Sequence, residues 1–136
     1  MKRTLLLIVF VACGLYGGEA GTIPPELVGV WAPASAKLSG GVPSEGYAIY
    51  INTDGLAAVV KAPPPIGERW IASYAATNHM LSLREPMLTK GLTQVITNHF
   101  VYDPKAKTFT TISASTTEVL YHHGSRIPEG VIEDLQ

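Results

Sequence analysis

Three tight-turn signals punctuate the chain, each between two strand-like runs: Asn52-Thr53-Asp54-Gly55, Thr77-Asn78-His79 and Asp103-Pro104-Lys105-Ala106-Lys107. Asp54, Asn78 and Asp103 are 24 and 25 residues apart. Asp54-Gly55 favours the positive φ angles that a tight hairpin turn needs. An evenly spaced hairpin series is the mark of an up-and-down antiparallel sheet, in which each strand pairs with the next. It constrains the architecture strongly and leaves the chemistry open.

The runs around these turns read as about eight strands. Leu27 to Trp31 is the first, and Tyr47 to Ile51 with Leu56 to Lys61 form the first hairpin. Trp70 to Ala75 and Met80 to Arg84 flank the second turn. Thr93 to Tyr102 is the longest candidate, rich in β-branched and aromatic residues. Thr108 to Ser113 and Thr117 to His122 complete the series. Residues 32–46 lack periodicity and read as a long loop. Ala62 to Gly67 reads as a stiff connection, because Pro63-Pro64-Pro65 cannot donate to a ladder. Residues 85–92 read as a further loop, and Pro128 to Leu135 as a short helical tail. No helix is long enough to cover a sheet of this size. The expected fold is therefore an all-β, antiparallel up-and-down barrel, with a β-sandwich as the alternative, since either form protects the edges and the apolar face.

The N-terminus reads as an export leader over residues 1–20: Met1-Lys2-Arg3, then an apolar stretch from Leu5 to Ala12, then small residues. That stretch is shorter than the roughly 20 residues a membrane span needs. Gly18-Glu19-Ala20 offers a signal-peptidase cut before Gly21. Val11-Ala12-Cys13-Gly14 offers instead a bacterial lipobox, in which Cys13 carries the lipid. The expected location is secreted or periplasmic, or envelope-anchored through Cys13, the only cysteine in the chain. A disulfide framework is thereby excluded, so the core must hold the fold. Residues 21–136 suffice for one domain. Without Lys2, Arg3 and Glu19 the chain keeps 8 basic and 10 acidic residues, and no basic run suggests nucleic-acid binding.

Strand alternation places Trp31, Tyr47-Ile49-Ile51, Trp70-Ala72-Tyr74, Leu81-Leu83 and Val119-Tyr121 on the inward faces. Thr93–Tyr102 is apolar on both faces, with Val95, His99 and Val101 on one and Ile96, Phe100 and Tyr102 on the other.

Pro24-Pro25-Glu26-Leu27-Val28-Gly29-Val30-Trp31 resembles the start of lipocalin-like, calycin-type proteins, in which a short helical turn leads into a strand carrying Gly-x-Trp. The resemblance covers the architecture of residues 22–126. It implies a secreted barrel that binds a small apolar molecule, with Arg126 packed over Trp31 as the basic residue after the last strand. The chain lacks that family's internal Thr-Asp-Tyr motif and its long final helix.

Catalytic and metal constellations are weak. His79, His99, His122 and His123 lack ligand spacing, and adjacent strand residues such as His122 and His123 point to opposite faces, so no metal and no cofactor is expected. Ser113-Ala114-Ser115-Thr116-Thr117 reads as a polar turn, and no nucleophile elbow or phosphate loop occurs. Glu68 and Glu85 sit next to Arg69 and Arg84, and surface ion pairing accounts for them.

The chain is accordingly expected to be a non-catalytic binder of a small apolar or amphipathic ligand, with Trp31, Tyr47, Trp70, Tyr74, His99 and Tyr121 lining the site. An alternative is a protein-binding module of the cell envelope, an inhibitor, immunity or accessory protein, acting through Ser35–Gly46 and Pro63–Pro65. A weaker one is a barrel-mouth hydrolase or isomerase with His99 as its base. In every case the irregular connections 32–46, 63–65 and 85–92 are expected to frame the site.

Overall fold

The computed structural model describes residues 23–84, 97–112 and 117–131. A 3₁₀ turn over Pro25–Leu27 leads into nine strands: β1 (Gly29–Pro33), β2 (Lys37–Ser39), β3 (Val42–Ile51), β4 (Leu56–Ala62), β5 (Ile66–Ala75), β6 (Met80–Arg84), β7 (Thr97–Asp103), β8 (Thr108–Thr111) and β9 (Val119–His122). From β3 to β9 each strand pairs antiparallel with the next. β1 pairs with β9 on one side and with β3 on the other, which closes an eight-stranded barrel. β2 is an extra strand on the free side of β3. The fold is the barrel, not the sandwich.

The even turn spacing has a simple geometric meaning. Each interval covers one strand out and one strand back, so all three turns lie at the same end of the barrel. Gly55, at φ +87°, completes the first, in which Asn52 N–H donates to Leu56 O at 2.9 Å. Asp103 Oδ1 accepts from the N–H groups of Lys105 (2.9 Å) and Ala106 (3.2 Å) and locks the third. Of the other connections among the described residues, the Pro63–Pro65 turn lies at the opposite end, and the β2–β3 hairpin folds back along the outer wall, where Gly41 O accepts from the Tyr50 hydroxyl.

Two of those connections differ from the expectation. Residues 32–46 are largely extended: β1 continues to Pro33, β2 occupies part of the supposed loop, and β3 begins at Val42. Their Gly, Pro and Ser content hid a short edge hairpin, in which Leu38 pairs with Pro43. The triple proline is a tight turn rather than an extended connection. Lys61 pairs with Ile66 across it, so the ladder resumes at once. Prolines lack N–H donors, and at a turn none is required there. Of the strand expected over Thr93–Tyr102, residues 93–96 lie outside the described residues, as do 85–92. The rest is β7, with Phe100 and Tyr102 buried and His99 and Val101 exposed. The last strand also runs in the opposite phase to that expected. Leu120 is buried and Tyr121 is 45% exposed on the outer surface.

The inner core holds Trp31, Ile51, Ala72, Leu81, Phe109 and Leu120, with Leu27 and Ile23 beneath them. Ile23 N–H donates to Thr53 O at 3.1 Å, and Trp31 Nε1–H to Leu27 O at 2.9 Å, which ties the 3₁₀ turn across the barrel end as a plug. A second apolar layer lies outside the barrel wall. The outward Val30, Ala32, Ala48, Tyr50, Ala58 and Val60 are covered by Leu38 of β2 and by Ile127 and Val131, the latter in a helical turn. Small alanines on this wall let the covering segments approach closely. β1 and β3 are thus buried on both faces at their plugged ends.

Gly29 of the Gly-x-Trp segment explains its own identity. It sits at φ +129°, and a Cβ there would lie 2.1 Å from Gly124 O. The chain passes Gly124 closely because Val30 N–H donates to that oxygen at 2.9 Å and His123 N–H to Val30 O at 2.8 Å.

Candidate functional site

An eight-stranded barrel is just wide enough to be filled by its own side chains or to hold one small ligand. This barrel does one at each end. Toward the plugged end, Trp31 lies between Phe109 (ring centroids 4.4 Å), Tyr102 (6.1 Å) and His122 (4.6 Å). Tyr102 also meets Phe109 at 5.2 Å, and Phe109 meets Phe100 at 6.3 Å. Edge-on and tilted rings at these distances fill the interior.

Toward the opposite end the aromatic layer stops, and a cavity of about 280 Å³ opens. Its deep part is apolar: Ile49, Val59, Leu83 and Phe100, with Trp70 as one wall. Its mouth is polar, formed by Lys61, Glu68, Asn98, Thr111 and Glu118, with Tyr47 beside Glu118. β3, β4, β5, β6, β7 and β8 each contribute, because each presents its last or first inward residues there.

The polar groups at the mouth are ordered. The Tyr47 hydroxyl donates to Glu118 Oε1. Glu118 is in turn held by β8: its N–H donates to Thr111 Oγ1, and Thr111 N–H to Glu118 O, both at 2.9 Å. Burial, then the bond to Glu118, then the charge of that carboxylate raise the Tyr47 phenol above the ordinary tyrosine range. Tyr47 therefore keeps its proton and acts as the donor. Trp70 is in the opposite position. Its Nε1–H is buried and finds no acceptor among the described residues.

The six expected lining residues divide. Tyr47 and Trp70 line the cavity. Trp31 does not: it is fully buried in the packed end. Tyr74 belongs to that end too, meeting Tyr102 at 6.5 Å and bonding His79 Nδ1 at 3.1 Å. Tyr121 faces out, because the pairing of Leu120 with Phe109 and of His122 with Trp31 sets β9 in the other phase. His99 reaches only the exposed rim, and its ring bonds Ser82 Oγ at 2.9 Å across the outer face of β6 and β7. It does not stand beside an acid on the cavity floor. Arg126 does not cover Trp31 either. His122 takes that place, bonding Val28 O through Nε2 at 3.0 Å. Arg126 lines a shallow hollow on the outer wall with Val30 and His123. Among the described residues no group of three or more His, Cys, Asp or Glu side chains is placed to hold a metal ion.

The polar lining residues that were not expected there, including Glu68, which was expected only as a surface ion-pair partner of Arg69, share one signal. Lys61 continues the inward series Ala57-Val59, Glu68 precedes Trp70 by two, Asn98 precedes Phe100 by two, and Glu118 precedes Leu120 by two. Each is the next inward position beyond an apolar run, where the barrel wall meets water.

Comparison with protein-family models, with curated proteins and with solved structures finds no match.

Proposed function

We propose that this protein binds a small amphipathic molecule in the open end of its barrel without transforming it, and that it does so outside the cytoplasm, delivered by its N-terminal leader. The observation that carries the reading is the half-filled interior: a packed, plugged end and a cavity with an apolar floor and a polar mouth. A few convergent polar groups over an apolar pocket form the usual make-up of a ligand site. The volume sets the scale. Liquid water takes about 30 Å³ per molecule, so about 280 Å³ suits a ligand of roughly ten non-hydrogen atoms. The Gly29-Val30-Trp31 start, the closed barrel and the plug opposite the cavity support a calycin-type relationship.

Native mass spectrometry of the protein purified from its own host tests this. A bound mass released on unfolding, and lost when Thr111→Trp fills the mouth, is the expected result. Repeated preparations without a bound mass, and no saturable binding of a fluorescent apolar probe, would overturn it.

A second reading is a protein-binding module of the envelope. It is favoured by the outward Val101 and Tyr121 of the β7–β9 wall, which are 38% and 45% exposed. Pull-down with the Tyr121→Ser variant as control would test it.

A further inference from the structure

We infer that the cavity takes a small amphipathic cation, a primary amine on a compact apolar body, with its ammonium at the mouth on Glu118 and Glu68. The inference rests on the ligand-binding reading and names the ligand's chemistry. Ile49, Val59, Leu83, Phe100 and Trp70 give the cavity an apolar floor and wall, which suit the body of such a molecule. The mouth suits its head. Glu118 is half-buried there, and its backbone is pinned to Thr111. Tyr47 donates to its Oε1. An ionised carboxylate offers about four acceptor positions on its two oxygens. Tyr47 takes one, and no other described residue donates to that side chain. Because the Tyr47 proton is committed to Glu118, the hydroxyl has only lone pairs left to offer. The pair presents acceptors, so the ligand group that meets it is a donor.

Charge chooses among donors. The carboxylates of Glu68 and Glu118 line the cavity against the single ammonium of Lys61. Among the described residues, neither carboxylate lies within ion-pair distance of a cation. Glu68 stands opposite Val59 in the β4–β5 ladder, and Lys61 stands opposite Ile66. Glu68 is therefore one inward position deeper than Lys61, closer to the apolar floor. His99, on the rim, is turned to Ser82 Oγ across the outer face. A ligand ammonium is attracted by both carboxylates, while a ligand carboxylate meets net repulsion. A neutral hydroxyl gains a hydrogen bond but not the stronger, charge-assisted one.

The test uses probes of one shape on the full chain: phenethylamine, phenethyl alcohol and hydrocinnamate, followed by titration calorimetry. The amine should bind about tenfold more tightly than the alcohol, the scale of a hydrogen bond to a charged group, and the carboxylate should bind weakest. Added salt should weaken the amine and leave the alcohol in place. In Glu118→Gln, which keeps an acceptor for Tyr47, the amine-to-alcohol affinity ratio should fall several-fold. Adding Glu68→Gln should bring it close to unity. A general loosening of the pocket would not move that ratio. An alcohol that binds as tightly as the amine, or a ratio unchanged in both variants, overturns the inference and leaves the binding reading intact. A carboxylate that binds tightest also overturns it, in favour of Lys61 as the head-group partner. If none of these probes binds while a fluorescent apolar probe still saturates the cavity, the inference alone fails. If that probe fails as well, the binding reading fails with it.

Discussion

The Tyr47 hydroxyl donates to Glu118 across the mouth of the barrel, joining residues 71 positions apart in sequence. Both residues belong to the cavity wall, and the bond fixes the proton on Tyr47. Burial is the largest cause of its raised pKa, ahead of the hydrogen bond and the carboxylate charge. Glu118→Gln should therefore lower the Tyr47 pKa without returning it to the ordinary value near 10. Titration of phenolate absorbance in the variant and the parent checks this. A return to the ordinary value would show that the carboxylate, not burial, dominates.

Tyr50 offers a pH test of the outer layer. Its hydroxyl donates to Gly41 O at 2.6 Å, holding the start of the β2–β3 hairpin, and burial pushes its pKa up to about 12. In the unfolded chain the same phenol ionises near pH 10. Between those values the unfolded state binds fewer protons, so stability falls as pH rises. The contribution is whole below about pH 10 and is lost as pH climbs toward about 12. Urea midpoints taken from pH 8 to pH 11 should fall for the parent and fall less steeply for Tyr50→Phe. Near neutral pH, Tyr50→Phe should cost about 1 kcal/mol, the usual worth of one hydrogen bond. Parallel pH profiles would remove Tyr50 from the account.

The plugged end was far more legible in the sequence than the open end, and the reason is physical. Asp54-Gly55 and Asp103 fix their turns through local backbone angles and caps, which neighbouring residues alone determine. Trp31, Ile49 and Leu81 declare their faces because burial alternates cleanly with exposure in most strands. Alternation fails where both faces are buried, as at Val30, Ala32, Ala48 and Tyr50, whose cover comes from Ile127 and Val131 far along the chain. It fails again in β9, where Val119 and Tyr121 together make a more apolar face than Leu120 and His122 but the partners on β8 and β1 set the phase. Tyr47 and Trp70 were legible as lining, but Glu68, Asn98 and Glu118 were missed because they are polar. Nothing in their identity distinguishes a barrel mouth from an outer surface; only their place in the inward series does.

Gly29 should tolerate no side chain. A Cβ would lie 2.1 Å from Gly124 O and 2.8 Å from His122 Nε2, at a φ of +129°. The backbone oxygen cannot move without releasing Val30 N–H, which it accepts at 2.9 Å. Gly29→Ala should therefore cost about 3 kcal/mol or more, combining backbone strain with the loss of that contact. Gly124 has the same positive φ sense but open space around its missing Cβ. Gly124→Ala should cost less, of order 1 kcal/mol from backbone strain alone. Urea denaturation of the two variants side by side separates collision from conformation. Equal losses would mean that the close approach to Gly29 does not constrain the fold.

Trp31 and Tyr121 test the phase of the barrel. Trp31 is fully buried between Phe109, Tyr102 and His122 and donates to the plug through Leu27 O. Trp31→Ala should cost about 3–5 kcal/mol, the range for deleting a large buried aromatic. Tyr121, on β9 one strand away, is 45% exposed on the outer wall. Tyr121→Ser should change stability by no more than about 0.5 kcal/mol, as an ordinary surface substitution does. The contrast is sharp because the two residues lie on adjacent, paired strands, with Trp31 opposite His122 and Ala32 opposite Tyr121. A slip of one residue in β9 would bring Tyr121 inward and His122 out, since side chains alternate across a strand. Comparable losses in the two variants would therefore place Tyr121 in the core and overturn the register that builds the cavity.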